Sequence, residues 1–385
     1  MNYIRKNIIT QLTEELLNTD FCGEEDAILT HFENAGTLFP FISEELKNTL
    51  VKSICPSQEK KYSFIDLFAG LGGFRLSLEK CGGKCKFSSE WDKTAKEYYK
   101  RNHKEVPFGD ITKFTNNKID DNQLDALIPD HDILAGGFPC QPFSRAGVSA
   151  RNSLGLPHGF ECTTQGTLFY SIERIAAQKM PKILFLENVW NLVSHDKGRT
   201  FKLIKETVKK IGYQFFYAII NSETVVPQRR KRCFMVCVRN DIYNEFGRFV
   251  FPTFNGKSLP LKSILDPAAD DSYTISDKLW AGHQKRSKRN KERGTGFTTR
   301  EASLNKPSNT IVARYGKDGK ECLIPQKDMN PRKLTINECR KLFGYPKDFE
   351  LPTHKTPAYK LLGNSVVVPV VQRITNEIIN QYFPN

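Results

Sequence analysis

From Tyr62 to Arg239 the chain alternates short apolar runs with helix-length amphipathic stretches. Runs over 62–68, 86–90, 131–136, 182–187, 214–220 and 232–238 read as strands. The stretches 74–81, 93–101, 168–179 and 200–211 carry helical periodicity, as in Phe74, Leu76 and Leu78. Strands separated by helices predict parallel pairing in an α/β sheet covered on both faces. Ligands of such sheets bind beyond the carboxyl ends of the strands. Asp66, Leu67, Phe68, Glu90, Asp110, Cys140 and Glu187 all fall at or just past expected strand ends, which predicts one shared crevice.

Beyond Arg239 the alternation stops. Residues 240–330 are rich in Gly, Asn, Lys and Arg, show few periodic elements, and predict a second domain that is mostly irregular or β. A helical pattern resumes over Ile336–Phe343, and Gly363-Asn364-Ser365 is placed to cap a long apolar helix from Val366 to about Tyr382. The expected organisation is therefore a first α/β part over 59–245, an inserted domain over 246–330, and a return to the first domain over 331–385. Residues 1–58 predict a helical N-terminal extension built from pieces at 8–17, 24–32 and 43–54.

Charge sharpens this division. The 385 residues hold 57 basic and 43 acidic side chains, a net charge of +14. Residues 1–56 carry nine acids against four bases, so the positive excess lies in the remainder and suits a polyanionic partner. The stretch 276–300 alone has eight bases against Asp277 and Glu292, with Trp280, His283 and Phe297 interspersed. None of the ten cysteines forms a CxxC pair, so neither a paired-cysteine zinc site nor any other metal is expected. No secretory h-region follows Met1, and no apolar stretch nears the roughly 18 residues needed to span a bilayer. A cytoplasmic protein without disulfides or membrane contact is the expectation.

Four blocks carry candidate chemistry. The run Gly136-Gly137-Phe138-Pro139-Cys140-Gln141-Pro142-Phe143-Ser144 sets a cysteine between two prolines at the end of an apolar strand. Proline fixes its own φ and pushes the preceding residue into an extended conformation, which holds the thiol at a defined angle, as nucleophiles are held. Glu187-Asn188-Val189 closes a second apolar run. In the third block, Phe64 to Phe74, a strand enters a turn containing Gly70, Gly72 and Gly73, whose free N–H groups and following helix suit an anion. Glu90, twenty residues beyond Gly70, is placed to accept from two ribose hydroxyls. Phe68 and Trp91 offer flat faces to an adenine, and Asp110 offers an acceptor to its exocyclic amine. The fourth block is Gln228-Arg229-Arg230-Lys231-Arg232.

Together and in this order, these blocks resemble the DNA cytosine-C5 methyltransferases, over Tyr62 to Val371, roughly four fifths of the chain. The resemblance implies a Rossmann-like S-adenosylmethionine-dependent methyltransferase domain with a smaller target-recognition domain. It implies double-stranded DNA as substrate and S-adenosylmethionine as cofactor, with S-adenosylhomocysteine as product. It makes Cys140 the nucleophile at cytosine C6 and Glu187 the donor at N3, with Arg230 and Arg232 on the cytosine O2 and the adjoining phosphate. Phe68, Gly70, Gly72, Glu90, Trp91, Asp110 and Ile111 would bind the cofactor, and Asn364 and Ser365 would close over it. Pro139, Gln141, Ser144, Asn188, Gln228 and Arg314 are candidate substrate contacts, with Asn188 orienting its loop. The loop Ser144–Gly166 is expected to close on a base rotated out of the duplex.

The enzyme so implied is a monomeric bacterial modification enzyme whose cognate restriction endonuclease is a functional rather than a physical partner. Methylation of cytosine in tRNA on the same scaffold, or a catalytically silent DNA-binding regulator, are the alternatives. The long basic segment 240–330 favours DNA, and Cys140, Glu187 and Arg232 together argue for activity. Segment 273–324 resembles recognition domains for short GC-rich palindromes of the CCNGG type.

Overall fold

The structure, a computed structural model, describes residues 61–116, 118–138, 167–294 and 298–384. The helical extension expected over 1–58 lies outside the described residues.

Six strands form one sheet: β1 (Tyr62–Leu67), β2 (Gly83–Ser89), β3 (Ile133–Gly137), β4 (Ile183–Val189), β5 (Tyr213–Asn221) and β6 (Lys231–Arg239), in the order β2-β1-β3-β4-β6-β5. The first four are parallel. β6 runs antiparallel between β4 and β5, which corrects the expectation of parallel pairing throughout. The reason is local. Residues 222–230 hold only a short 3-10 turn, and a parallel pair needs a crossover of roughly a dozen residues or more. β5 and β6 therefore meet as an antiparallel pair.

Helices cover both faces. α1 (Gly73–Lys80), α2 (Lys93–His103), α3 (Asp121–Leu127), α4 (Thr167–Lys179), α5 (Arg199–Lys210) and α6 (Asn240–Phe246) follow the strands in turn. Successive strand residues point to opposite faces. Phe64, Phe185 and Val236 accordingly join one core with Phe74 and Ile374, while Ile65, Leu184 and Met235 join another with Ile175 and Ile204.

Past β6 the chain forms α7 (Asp277–Glu292), α8 (Tyr315–Asp318), the hairpin β7 (Ile324–Gln326) and β8 (Met329–Arg332), then α9 (Ile336–Phe343), α10 (Lys355–Asn364) and α11 (Val368–Tyr382). Two findings refine the expectation here. The region 246–330 is mostly irregular, as expected, but it also holds α7, a 16-residue helix capped by the Ser276 hydroxyl. Its inner face is thin, which is why periodicity hid it. His283 is buried against the Asp318 carbonyl, and the Ser287 hydroxyl exchanges hydrogen bonds with the Thr299 main chain. Second, Gly363 and Asn364 do not cap the terminal helix but end α10. α11 begins after Val367 with Pro369 in its first turn, where a missing N–H costs nothing.

Residues 306–311 return to the segment that leads into β6. Arg229 N–H donates to the Ser308 carbonyl at 2.9 Å, and Ser308 N–H donates to that of Pro227 at 2.8 Å.

Candidate active site

A cavity of about 650 Å³ opens at the carboxyl ends of β1 to β4, a volume suited to a cofactor-sized ligand. On one side the chain leaves β1 through Phe68, whose φ of +58° is left-handed, a conformation worth about 1–3 kcal/mol of strain in a non-glycine residue and concentrated at functional sites. Gly70 N–H then donates to Glu90 Oε2 at 2.8 Å, and Asp92 N–H donates to Glu90 Oε1 at 2.8 Å. Glu90 is thus a strut between two turns. A carboxylate offers about four acceptor sites, so Glu90 keeps capacity for a ligand hydroxyl beyond these main-chain donors. Burial raises the Glu90 pKa, opposed by those same donors.

Asp110 works similarly, with Oδ1 accepting from Thr112 N and Oγ1 at 3.0 and 2.8 Å. Trp91 stands at the rim with 77% of its surface exposed. Ile111 lines the same side, and Asn364 and Ser365, at the end of α10, form a wall of the cavity. Gly72 departs from expectation. It is not among the residues lining the cavity, and a side chain there would place Cβ 2.2 Å from His103 Nε2 at a φ of +78°. Gly72 is a packing position under the turn, whereas Gly70 and Gly73 face the cavity.

On the other side, Glu187 sits in β4 between Gly137 of β3 and Phe234 of β6. Its carboxylate accepts from Arg232 Nε at 2.9 Å. Burial pushes the Glu187 pKa up, and the guanidiniums of Arg232 and Arg230 oppose that without reversing it. The group therefore holds a proton more readily than an ordinary glutamate. Asn188 Nδ2 donates to the Phe138 carbonyl at 3.0 Å, while its Oδ1 accepts from Val189 N–H at 2.8 Å. β4 thereby holds the main chain immediately before Pro139-Cys140. Cys140, Pro139, Gln141, Ser144 and the loop to Gly166 lie outside the described residues. Arg314 is exposed just ahead of α8.

Two expected ligands of the substrate are structural instead. Arg230 is 3% exposed, and its Nη1 and Nη2 donate to the carbonyls of Ile311, Gly363 and Ser365. A guanidinium so engaged offers no fork to a phosphate. Gln228 is fully buried between Ile311 N–H and the Leu342 carbonyl. Only Arg232 of this block reaches the Glu187 carboxylate. Sequence reasoning also passed over Tyr345, whose hydroxyl shares a hydrogen bond with that of Ser365. Its context, Gly344-Tyr345-Pro346, signals a helix stop and hides the role.

A parallel-rich sheet with a glycine turn after β1, a buried acid after β2 and a buried glutamate of raised pKa at the end of β4 defines a Rossmann-like methyltransferase. The chain belongs to the C-5 cytosine-specific DNA methylase family, whose profile matches residues 62–380. It is 45% identical over 329 residues to the Type II methyltransferase M.SsoII of Shigella sonnei, covering 84% of this chain and 82% of that one. It is likewise 45% identical over 322 residues to M1.ScrFI of Lactococcus lactis subsp. cremoris, covering 83% and 78%. The solved structure of the Entamoeba histolytica methyltransferase EhMeth shares the fold, with a TM-score of 0.63, 20% identity, and coverage of 83% of this chain and 98% of that one.

The family's methyl donor is S-adenosylmethionine. The residues present fit it: a buried acid with acceptor capacity to spare, aromatic faces at Phe68 and Trp91, and glycine-turn main chain on one cavity. Among the described residues, no group of three or more His, Cys, Asp and Glu could hold a metal ion, and no helix is long and apolar enough to cross a membrane.

Proposed function

We propose that the enzyme methylates C5 of a flipped-out cytosine within a short specific duplex sequence, with Cys140 as nucleophile. The observation that carries this reading is the pairing of β3 and β4. Asn188 fixes the Phe138 carbonyl two residues before Cys140, and Glu187, whose pKa burial raises, is its neighbour in the chain. In this reading the Cys140 thiolate forms a bond to C6, and the C5–C6 π electrons shift to give a nucleophilic C5. Glu187 donates at N3 as negative charge develops there. Arg232 holds the Glu187 carboxyl and faces the base oxygen. Bound S-adenosylmethionine supplies the electrophilic methyl group that C5 takes. The demethylated donor leaves as S-adenosylhomocysteine; loss of the C5 proton to a base then restores the C5–C6 double bond and expels the Cys140 thiolate, while N3 returns its proton to Glu187. Glu90, Phe68, Trp91 and Asp110 hold the donor's nucleoside, and Asn364 and Ser365 wall in its other end.

The Type II names of the relatives support a place as the modification partner of a restriction endonuclease. We further propose that the enzyme works as a monomer in the compartment that holds the DNA. The test is a duplex carrying 5-fluorocytosine, which cannot lose its C5 substituent. The enzyme with cofactor should form a denaturation-resistant adduct, and Cys140→Ala should form none while still binding DNA. No adduct under conditions that give turnover on ordinary DNA would overturn the covalent assignment.

A further inference from the structure

Gln228 and Arg230, just ahead of β6, together make five hydrogen bonds to three separate segments. Arg230 Nη1 donates to the Ile311 carbonyl at 2.8 Å, and Nη2 donates to those of Gly363 and Ser365 at 2.9 and 2.6 Å. The guanidinium lies over the Phe343 ring, 4.9 Å from its centroid. Gln228 accepts from Ile311 N–H at 2.9 Å and donates to the Leu342 carbonyl at 3.1 Å. Ile311 is therefore held through both main-chain groups. Gly363 adds a contact that only glycine allows, since a Cβ there would lie 2.3 Å from Val312 C and Ala313 N. Ser365 walls the cofactor cavity, and two residues beyond Arg230 the Arg232 side chain grips Glu187.

We infer that Arg230 is a positioning residue that locks the segment returning from the recognition region to the cofactor wall, so that engagement of DNA and of cofactor are energetically coupled through it. Its planar fork holds all three carbonyls in one geometry, and hydrogen bonds weaken steeply when distance or angle is lost. A shift at Ile311 therefore transmits to Gly363 and Ser365. Coupling of this kind is reciprocal, because each ligand biases the same arrangement. The inference rests on the proposed function for the identity of the two ligands.

Calorimetry with S-adenosylhomocysteine, with and without cognate duplex, tests it. In the parent, duplex should change the affinity by at least about fivefold, the lower end of ordinary coupling. Arg230→Lys should weaken S-adenosylhomocysteine binding by about ten- to a hundredfold, the loss of hydrogen bonds to a charged donor. It should also reduce the duplex effect to less than about twofold, and raise KM for S-adenosylmethionine by a larger factor than it lowers kcat. Phe343→Leu, which removes only the ring beneath the guanidinium, should shift both quantities the same way but less, and it decides the matter if Arg230→Lys does not fold.

The inference is overturned if the variants bind S-adenosylhomocysteine like the parent while losing DNA affinity with a shallower salt dependence, the signature of a phosphate ligand. It is overturned equally if the parent shows no coupling. A parent that transfers no methyl group to any duplex would instead sink the proposed function, an outcome distinct from both.

Discussion

At the scale of single residues, buried carboxyls mark where function opposes stability. Glu187 is pulled towards ionisation by Arg232 and Arg230 and pushed away by burial, and burial wins. In the proposed reaction Glu187 donates at N3 and is active when protonated, so kcat should fall as pH rises through its elevated pKa. Glu187→Gln keeps a donor but no mobile proton. It should lose about 10²–10⁴-fold in rate, the usual cost of removing a general acid, and lose that alkaline limb as well. Single-turnover rates across pH would show it, and a few-fold loss would move the proton elsewhere.

Asp66 is the sharper case. It is 1% exposed, and burial raises its pKa well above 3.8 against the opposing pull of the Arg75 guanidinium and main chain. A raised folded-state pKa favours folding below the unfolded value and opposes it as pH rises. Asp66→Asn should therefore melt higher than the parent without cofactor, by a margin that grows from pH 4 to pH 7. A margin that shrank over that range would mean that Asp66 is ionised and paired. The placements of Glu90 and Glu187 on the cavity were legible from their positions at strand ends. Those of Arg230 and Gln228 were not, because a motif spacing does not say whether a guanidinium meets a ligand or three carbonyls.

At the scale of elements, what carried through from sequence was periodicity. The expected helix over Ile336–Phe343 matches α9 at both ends, since Thr335 and Glu338 form a capping box and Gly344 takes the left-handed stop. The expected parallel strands failed only where the connection was too short for a crossover. α7 escaped because ten or more of its positions face outward, and Lys285, Lys288 and Lys291 are all exposed. With its other face fixed by His283 and Ser287, this helix presents its basic side in one orientation. Each lysine that meets a phosphate contributes about 0.9 to the slope of log affinity against log salt. Lys285→Ala or Lys288→Ala should thus lower that slope by close to one and weaken cognate and random duplex alike. Binding titrations from low to moderate salt would measure this, and an unchanged slope would leave the lysine merely solvated.

At the scale of the whole molecule, recognition and catalysis are different tasks joined by few struts. The residues around Glu187 meet a flipped base that is always cytosine, so they carry no information about its neighbours. In the division of labour we propose, flanking bases are read in the grooves by side chains of the region 246–330, where Arg and Lys suit guanine edges and Asn and Gln suit adenine. Exchanging 246–328 for the matching segment of a relative of different specificity should move methylation to the relative's site, as bisulfite sequencing of plasmid would show. The structure adds a condition to that exchange. Ser308, Ile311 and the Val312–Ala313 main chain are bound to Pro227, Gln228, Arg230 and Gly363, and those contacts belong to the catalytic framework. A second chimera that keeps the parental 306–313 should change specificity as fully as the first, while holding its melting temperature and cofactor affinity nearer the parent. If the first chimera acquires the new site and the second keeps the old one, the base-reading side chains lie within 306–313. If both methylate the parental site, sequence is read outside this region altogether.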